Sequence, residues 1–306
     1  MQSNAIAEYY QAIMDGSIIT SKRVKKVYAQ LMDIVNGKSD KYEYDNSKAT
    51  HVIQFIERFC KHSKGEWAGS LVTLELFQKA YLSALFGIVR RDNGLRRYRE
   101  TLLMVGRKNG KSTLLSALAL YMLIADGEAG AEIYSVATKK DQAKLVFDET
   151  LRMVQQSKEL SQLIKKRKTD LFFGATFSKF QPLSSDSNTL DGGNASLSII
   201  DELHAVKDRN LYEVMKQSMS SRTQPLLVMI TTAGTLRDNI FDDIYSYACR
   251  VIDGEITDET FLPVIYELDK KEEWTDSNCW IKANPALGSI KKLEYLSDLV
   301  ERAKQN

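Results

Sequence analysis

Between the apolar run Thr101-Leu102-Leu103-Met104-Val105 and a long apolar segment stands Gly106-Arg107-Lys108-Asn109-Gly110-Lys111-Ser112-Thr113. A strand, a Gly-Lys-Ser loop and a helix together make a cradle for a nucleoside triphosphate. Loop N–H groups and the helix N-terminus take phosphate oxygens, the lysine reaches the β- and γ-phosphates, and the serine hydroxyl holds Mg²⁺. Gly106, Arg107, Lys108, Asn109, Gly110, Lys111, Ser112 and Thr113 are therefore the candidate phosphate-binding set, with Ser112 also on the metal. Val105 stands where the usual G-x-x-x-x-G-K-[ST] spacing has its first glycine, so the loop alone is equally readable as a solvated basic turn.

Two further strand ends add to the first. Leu197-Ser198-Ile199-Ile200 runs into Asp201-Glu202, where Asp201 would hold the Mg²⁺ water shell and Glu202 would orient or deprotonate the attacking water. Leu226-Leu227-Val228-Met229-Ile230 runs into Thr231-Thr232-Ala233-Gly234-Thr235, whose hydroxyls would lie where a γ-phosphate sensor sits. Two solvated acids and a Thr-rich turn are the bland alternatives. The three strand ends in this order point to an ATP or GTP site.

Such turns need a scaffold. From 71 to about 240 the chain alternates strands with helices, which predicts an α/β fold with a mostly parallel sheet covered on both faces. Glu132 to Ala137 reads as a strand, Thr138-Lys139-Lys140-Asp141 as the capping-box-like opening of a helix reaching about Gln156, and Leu171 to Phe180 as a hairpin around Gly174. A strand between the phosphate loop and the Asp-Glu pair, with the adjacent glutamate, marks the additional-strand, catalytic-glutamate type of P-loop NTPase. Residues 1–70 read as a helical N-terminal region, with helices at 5–14, 21–35 and 48–61, and 71–240 as the P-loop core. Residues 241–306 read as a mixed, more acidic linker or lid without an obvious core.

In 306 residues, 42 Lys and Arg against 40 Asp and Glu leave a net charge of +2, so no global basic field announces nucleic acid. Local clusters at Arg90-Arg91, Arg96-Arg97-Tyr98-Arg99, Lys139-Lys140 and 165–168 are solvated faces or phosphate contacts. Cys60, Cys249 and Cys279 are odd in number and form no C-x-x-C pair, which predicts a reduced, zinc-free, cytoplasmic chain. The N-terminus has no signal-like basic flank and apolar core, and Leu114 to Ala125 is too short to span a bilayer, so no membrane partner is expected.

In order, Leu76-Phe77-Gln78, Arg97-Tyr98-Arg99, the loop from Gly106 to Ser112, Leu190-Asp191-Gly192-Gly193-Asn194, Asp201-Glu202-Leu203-His204-Ala205, Gln224-Pro225-Leu226, Thr231-Thr232-Ala233-Gly234 and Trp280-Ile281-Lys282-Ala283-Asn284-Pro285 resemble the large terminase subunit of tailed double-stranded DNA phages. The resemblance runs from about residue 50 to the end and accounts for the shifted glycine, since that family's loop commonly lacks the first one. It implies an ATP-driven, Mg²⁺-dependent motor that threads double-stranded DNA into a procapsid, plus a nuclease that cuts the concatemer. Implied partners are the portal and procapsid, the small terminase subunit and further copies of the chain in a ring, in the host cytoplasm. By resemblance Gln78 would read adenine, Arg107 would lie against the γ-phosphate, and Thr232 would couple hydrolysis to movement.

Two departures stand out. Many terminases carry a trans-acting arginine shortly upstream of the Asp-Glu pair, where this chain has Asp191, so Arg222 is nominated as the finger instead. The chain also stops at Asn306, short of the family's nuclease carboxylates. Asp269, Glu272, Glu273 and Asp276 read as solvated, and no endonuclease activity is expected of this length. Two other classes remain: a DExx-type helicase, which needs a second lobe that the space after 240 does not hold, and a nucleotide-binding module without turnover as an isolated monomer.

Overall fold

Small polar caps start the first helices where their apolar stripes begin. Asn4 Oδ1 accepts from the N–H groups of Ile6 and Ala7 at the head of α1 (Ala5–Met14), and Ser21 Oγ from Val24 at the head of α2 (Lys22–Val35). After β1 (Tyr42–Tyr44), Asp45 caps α3 (Asn46–Phe59), and a capping box between Glu75 and Gln78 opens α4 (Leu76–Gly87). β2 (Ile88–Arg90) pairs antiparallel with β1. The computed structural model describes residues 4–184, 193–206, 209–234 and 239–305.

The remaining elements are β3 (Glu100–Met104), α5 (Lys111–Ile124), β4 (Glu132–Ala137), α6 (Lys140–Gln156), α7 (Lys158–Leu163), β5 (Ile164–Lys166), β6 (Leu171–Phe173), β7 (Ser178–Ser184), β8 (Leu197–Asp201), α8 (Arg209–Ser218), β9 (Leu226–Thr231), α9 (Ile240–Asp253), β10 (Phe261–Ile265) and α10 (Leu293–Lys304). Among the described residues, eight strands form one sheet in the order β10-β3-β9-β8-β4-β7-β6-β5. It is parallel from β10 to β7 and antiparallel through the hairpin strands β6 and β5. β9 is buried along its whole length and β3 and β8 nearly so, which is why they read as unbroken apolar runs rather than alternating ones. α5 is buried from Leu114 to Leu123 because it lies under α3 and α6 as well as against the sheet.

The mostly parallel α/β architecture is as expected, with four adjustments. The strand interposed in space between the phosphate-loop strand and the Asp-Glu strand is β9, whereas those between them in sequence, β4 to β7, lie on the far side of β8. The sheet does not end at 240: β10 pairs parallel with β3 and is wholly buried, so part of the segment read as linker belongs to the core. The first helices are joined to that same edge, since the Tyr9 and Tyr266 hydroxyls meet at 3.2 Å and Ser21 Oγ donates to Ile265 O at 3.3 Å. At α6 the cap is Lys139, with no side-chain bond, in place of the expected box at 138–141.

In the basic cluster at 96–99, Arg96 and Arg97 are structural. Arg96 is 5% exposed, ion-paired with Asp126, bonded to Gln224 O and stacked over Phe86 at 5.1 Å. Arg97 lies over the Tyr42 ring at 4.4 Å and donates to Glu259 O. Truncating one member of a buried pair strands the other charge, so Asp126→Ala is expected to lower unfolding free energy by about 3–5 kcal/mol. Urea denaturation should show this, with the exposed Arg90→Ala moving the midpoint little.

Candidate nucleotide site

Parallel strands deliver their carboxyl ends to one edge of the sheet, and there the chemistry-bearing turns meet. Lys108 and Gly110 adopt φ of +65° and +79°, left-handed conformations of the kind from which anion-binding nests are built, and Gly110 opens α5. Lys111, at the head of α5, sends Nζ to Glu202 Oε1 at 3.1 Å. Asp201 ends β8 and its Oδ1 accepts from the Glu202 N–H at 3.0 Å. Glu202 is itself left-handed at φ +55°, a strained position for a residue with a Cβ.

Burial, together with the neighbouring Glu202 charge and against the pull of Lys111, pushes the Asp201 carboxyl up to about 6. Asp201 at the end of β8 and the Ser112 hydroxyl in the first turn of α5 are oxygen donors of the kind that a hard divalent cation takes. The other Glu202 oxygen, Oε2, is buried and makes no hydrogen bond, although it lies 3.1 Å from His204 Nδ1. Burial, opposed by Glu202 and aided by Lys111 and Arg107, holds the His204 ring below its usual pKa and hence neutral.

A second layer holds the loop from outside. Asn109, 1% exposed, donates to Gly106 O at 3.0 Å and Arg107 O at 3.2 Å, stapling the loop to itself. It also donates to Asn284 Oδ1 at 3.2 Å and accepts from the Ala286 N–H at 2.9 Å. Gly106 N donates to Ala283 O, and Lys291, whose ammonium is lowered by burial, donates to Asn284 Oδ1 at 2.6 Å. Lys282 is clamped by Asp269 and Glu273 at 2.9 and 2.8 Å, so those two acids are engaged rather than solvated as expected. A cavity of about 370 Å³ opens beside Gly106, walled by Met104, Ala233, Phe241, Tyr245 and Tyr266 among others.

Residues 76–250 match the family described as terminase large subunit, ATPase domain, and 255–306 match terminase large subunit, endonuclease domain. This chain belongs to the terminase large subunit family. It is 26% identical over 299 residues to the terminase large subunit of Lactococcus phage SK1, covering 94% of this chain and 53% of that protein. To the large subunit of Enterobacteria phage HK97 it is 25% identical over 265 residues, covering 84% and 50%. The crystal structure of the HK97 large terminase shares the fold, with a TM-score of 0.73 at 24% identity over 85% of this chain and 52% of that one. The chain thus spans about half the length of the curated relatives it matches. The match at 255–306 corrects the expectation that nothing related to the nuclease lies in this length.

Of the residues nominated for this terminase chain, Gly106 to Thr113, Asp201, Glu202 and Thr232 gather at one sheet edge. Gln78 joins them: its Oε1 accepts from the Glu75 N–H, and its Nε2 lies 2.9 Å from where a Cβ on Gly110 would stand. Arg222 does not. It sits before β9 at the opposite, amino edge, its guanidinium bonded to the carbonyls of Asn194 and Gly130 at 2.9 and 2.7 Å and within 3.5 Å of Glu128. A guanidinium so committed and nearly buried does not fit the role of a finger reaching into a neighbour. Asp191, Leu190, Gly192 and Thr235 lie outside the described residues. Thr231 was expected only as one hydroxyl of the Thr turn, His204 and Asn284 stood in the motifs of the resemblance without a role, and Lys291 was not singled out, because only long-range packing gives these residues their partners.

A Cβ at Gly106 would fall 2.3 Å from Asn284 Oδ1 and 2.9 Å from Ala283 O. Gly106→Ala is therefore expected to weaken binding of a non-hydrolysable ATP analogue about tenfold, the size of an overpacking cost of about 1–3 kcal/mol. Adding Asn284→Ala should recover part of that loss in titration calorimetry, since it removes the closer of the two collisions.

Proposed function

We propose that this chain is the ATP-hydrolysing motor portion of a phage terminase, driving double-stranded DNA into a procapsid. The observation that carries the reading is the meeting of Lys111 and Glu202, 91 positions apart, at 3.1 Å on the carboxyl edge of a parallel sheet. In this reading the loop N–H groups from Gly106 to Lys111 and the α5 N-terminus cradle the phosphates, Lys111 neutralises the β- and γ-oxygens, and Arg107 lies against the γ-phosphate. Ser112 and Asp201 would hold Mg²⁺, which would supply positive charge to the phosphates. Glu202 orients the attacking water and takes its proton, Gln78 faces the base, and Thr232 carries the product state into β9.

Membership in the terminase family supports a ring of copies on a portal, a small terminase subunit and double-stranded DNA as partners, in the host cytoplasm. Among the described residues no helix is long and apolar enough to cross a membrane. The arginine that a neighbour would contribute stays unassigned.

Phosphate release from Mg²⁺-ATP, with and without DNA, tests the proposal. Glu202→Gln is expected to bind ATP nearly as tightly as the natural chain while its turnover falls about 10²- to 10⁴-fold, the usual worth of a general base. Lys111→Ala should instead lose affinity. Undiminished turnover in Glu202→Gln would remove the assignment.

A further inference from the structure

His204 occupies the turn Leu203–Ala205 directly after the Asp-Glu pair and touches three parts of the molecule. Its Nδ1 lies 2.9 Å from Thr231 Oγ1, at the last residue of β9, and 3.1 Å from Glu202 Oε2. Its backbone N–H also donates to Thr231 Oγ1, at 3.2 Å, and its carbonyl accepts from Asn239 Nδ2, the residue whose Oδ1 caps α9. Gly234 is packed so closely that a Cβ there would stand 2.7 Å from His204 Cβ.

The network assigns the ring proton. Thr231 has one hydroxyl hydrogen, and it goes to Thr232 O at 2.9 Å. Towards His204, Thr231 Oγ1 then accepts, and the other neighbour of Nδ1, the carboxylate oxygen Glu202 Oε2 at 3.1 Å, also accepts, which together favour the Nδ1–H tautomer. One N–H therefore faces two acceptors: Thr231, which it reaches now, and Glu202 Oε2, which is buried beside it and unpartnered. The other Glu202 oxygen is held by Lys111, the side chain that a nucleotide's phosphates would claim.

We propose that His204 is a positioning residue that ties the water-orienting Glu202 to the end of β9 and the start of α9, its Nδ1–H bonding Thr231 without nucleotide and Glu202 once phosphate has drawn Lys111 away. The exchange moves no proton between residues. It links the carboxylate that acts on water to the strand that ends at Thr231 and the helix capped by Asn239, and it rests on the ATPase reading above.

The test uses the 306-residue chain at one pH, with Mg²⁺-ATP for turnover and its β,γ-imido analogue for binding. His204→Ala is expected to lower kcat about 10- to 100-fold while KM and analogue affinity stay within about threefold, and His204→Asn, whose amide N–H stands near the Nδ1 position, should recover most of kcat. Full kcat in His204→Ala, or equal loss in Ala and Asn, would overturn the proposal. Nitrogen NMR on the natural chain adds a readout independent of turnover, with three histidines to resolve. The His204 signal should report an Nδ1–H tautomer, and its proton should shift on adding analogue in the natural chain but not in Glu202→Ala. An Nε2–H tautomer, or the same shift in Glu202→Ala, would refute it. No phosphate release above background by the natural chain would remove the ATPase reading, and equal turnover in Glu202→Gln the role of Glu202, whereas an inactive Glu202→Gln beside a fully active His204→Ala removes this inference alone.

Discussion

The placement of β9 between β3 and β8 is the constraint from which the site follows. Its register sets Met104 opposite Thr231 and Ile230 opposite Asp201, so the phosphate loop, the Thr turn and the acidic pair leave the sheet at one level. Because side chains alternate along a strand, a slip of one residue in either pairing would turn Asp201 or Thr231 to the other face. Burial of all three strands makes that slip costly, since it would set apolar side chains against different layers. Lys111 reaches Glu202 across β9 only because this register holds.

Strain and close packing concentrate at the same edge. Glu202 in a left-handed conformation, Gly234 pressed on His204 and Gly106 pressed on Asn284 are local arrangements that surrounding contacts must enforce. For Glu202 those contacts are the Lys111 ammonium on one oxygen and its own N–H on Asp201. For the loop they are the bonds of Asn109 and the segment 283–291. The loop that would receive phosphate is thus held from outside by residues well beyond the ATPase-domain match, which ends at 250.

That segment also changes how the chain divides. The stretch matching the endonuclease domain begins at 255, yet it contains β10, which pairs with β3 and completes the edge of the ATPase sheet. Lys282, clamped by Asp269 and Glu273, fixes the turn that carries Ala283 and Asn284 to Gly106. Sequence that matches the endonuclease-domain model is therefore built into the same sheet as the ATPase-domain match.

Residue order alone made much of this legible. Unbroken apolar runs marked the buried parallel strands, Gly110-Lys111-Ser112 after a strand marked a candidate phosphate loop at the head of α5, and adjacent acids marked the end of β8, because each is a local pattern with a local physical cause. The hairpin at 171–180 and the first three helices were legible for the same reason, through turn residues, caps and periodicity. Long-range pairing was not. Which strand lies between β3 and β8, that Phe261 to Ile265 joins the sheet, and that Arg222 is spent on carbonyls at the far edge depend on contacts between distant residues. The partners of His204, Asn284 and Lys291 were settled by the same packing, since the residue order does not say which distant groups will come within hydrogen-bond reach of an asparagine, a lysine or a histidine.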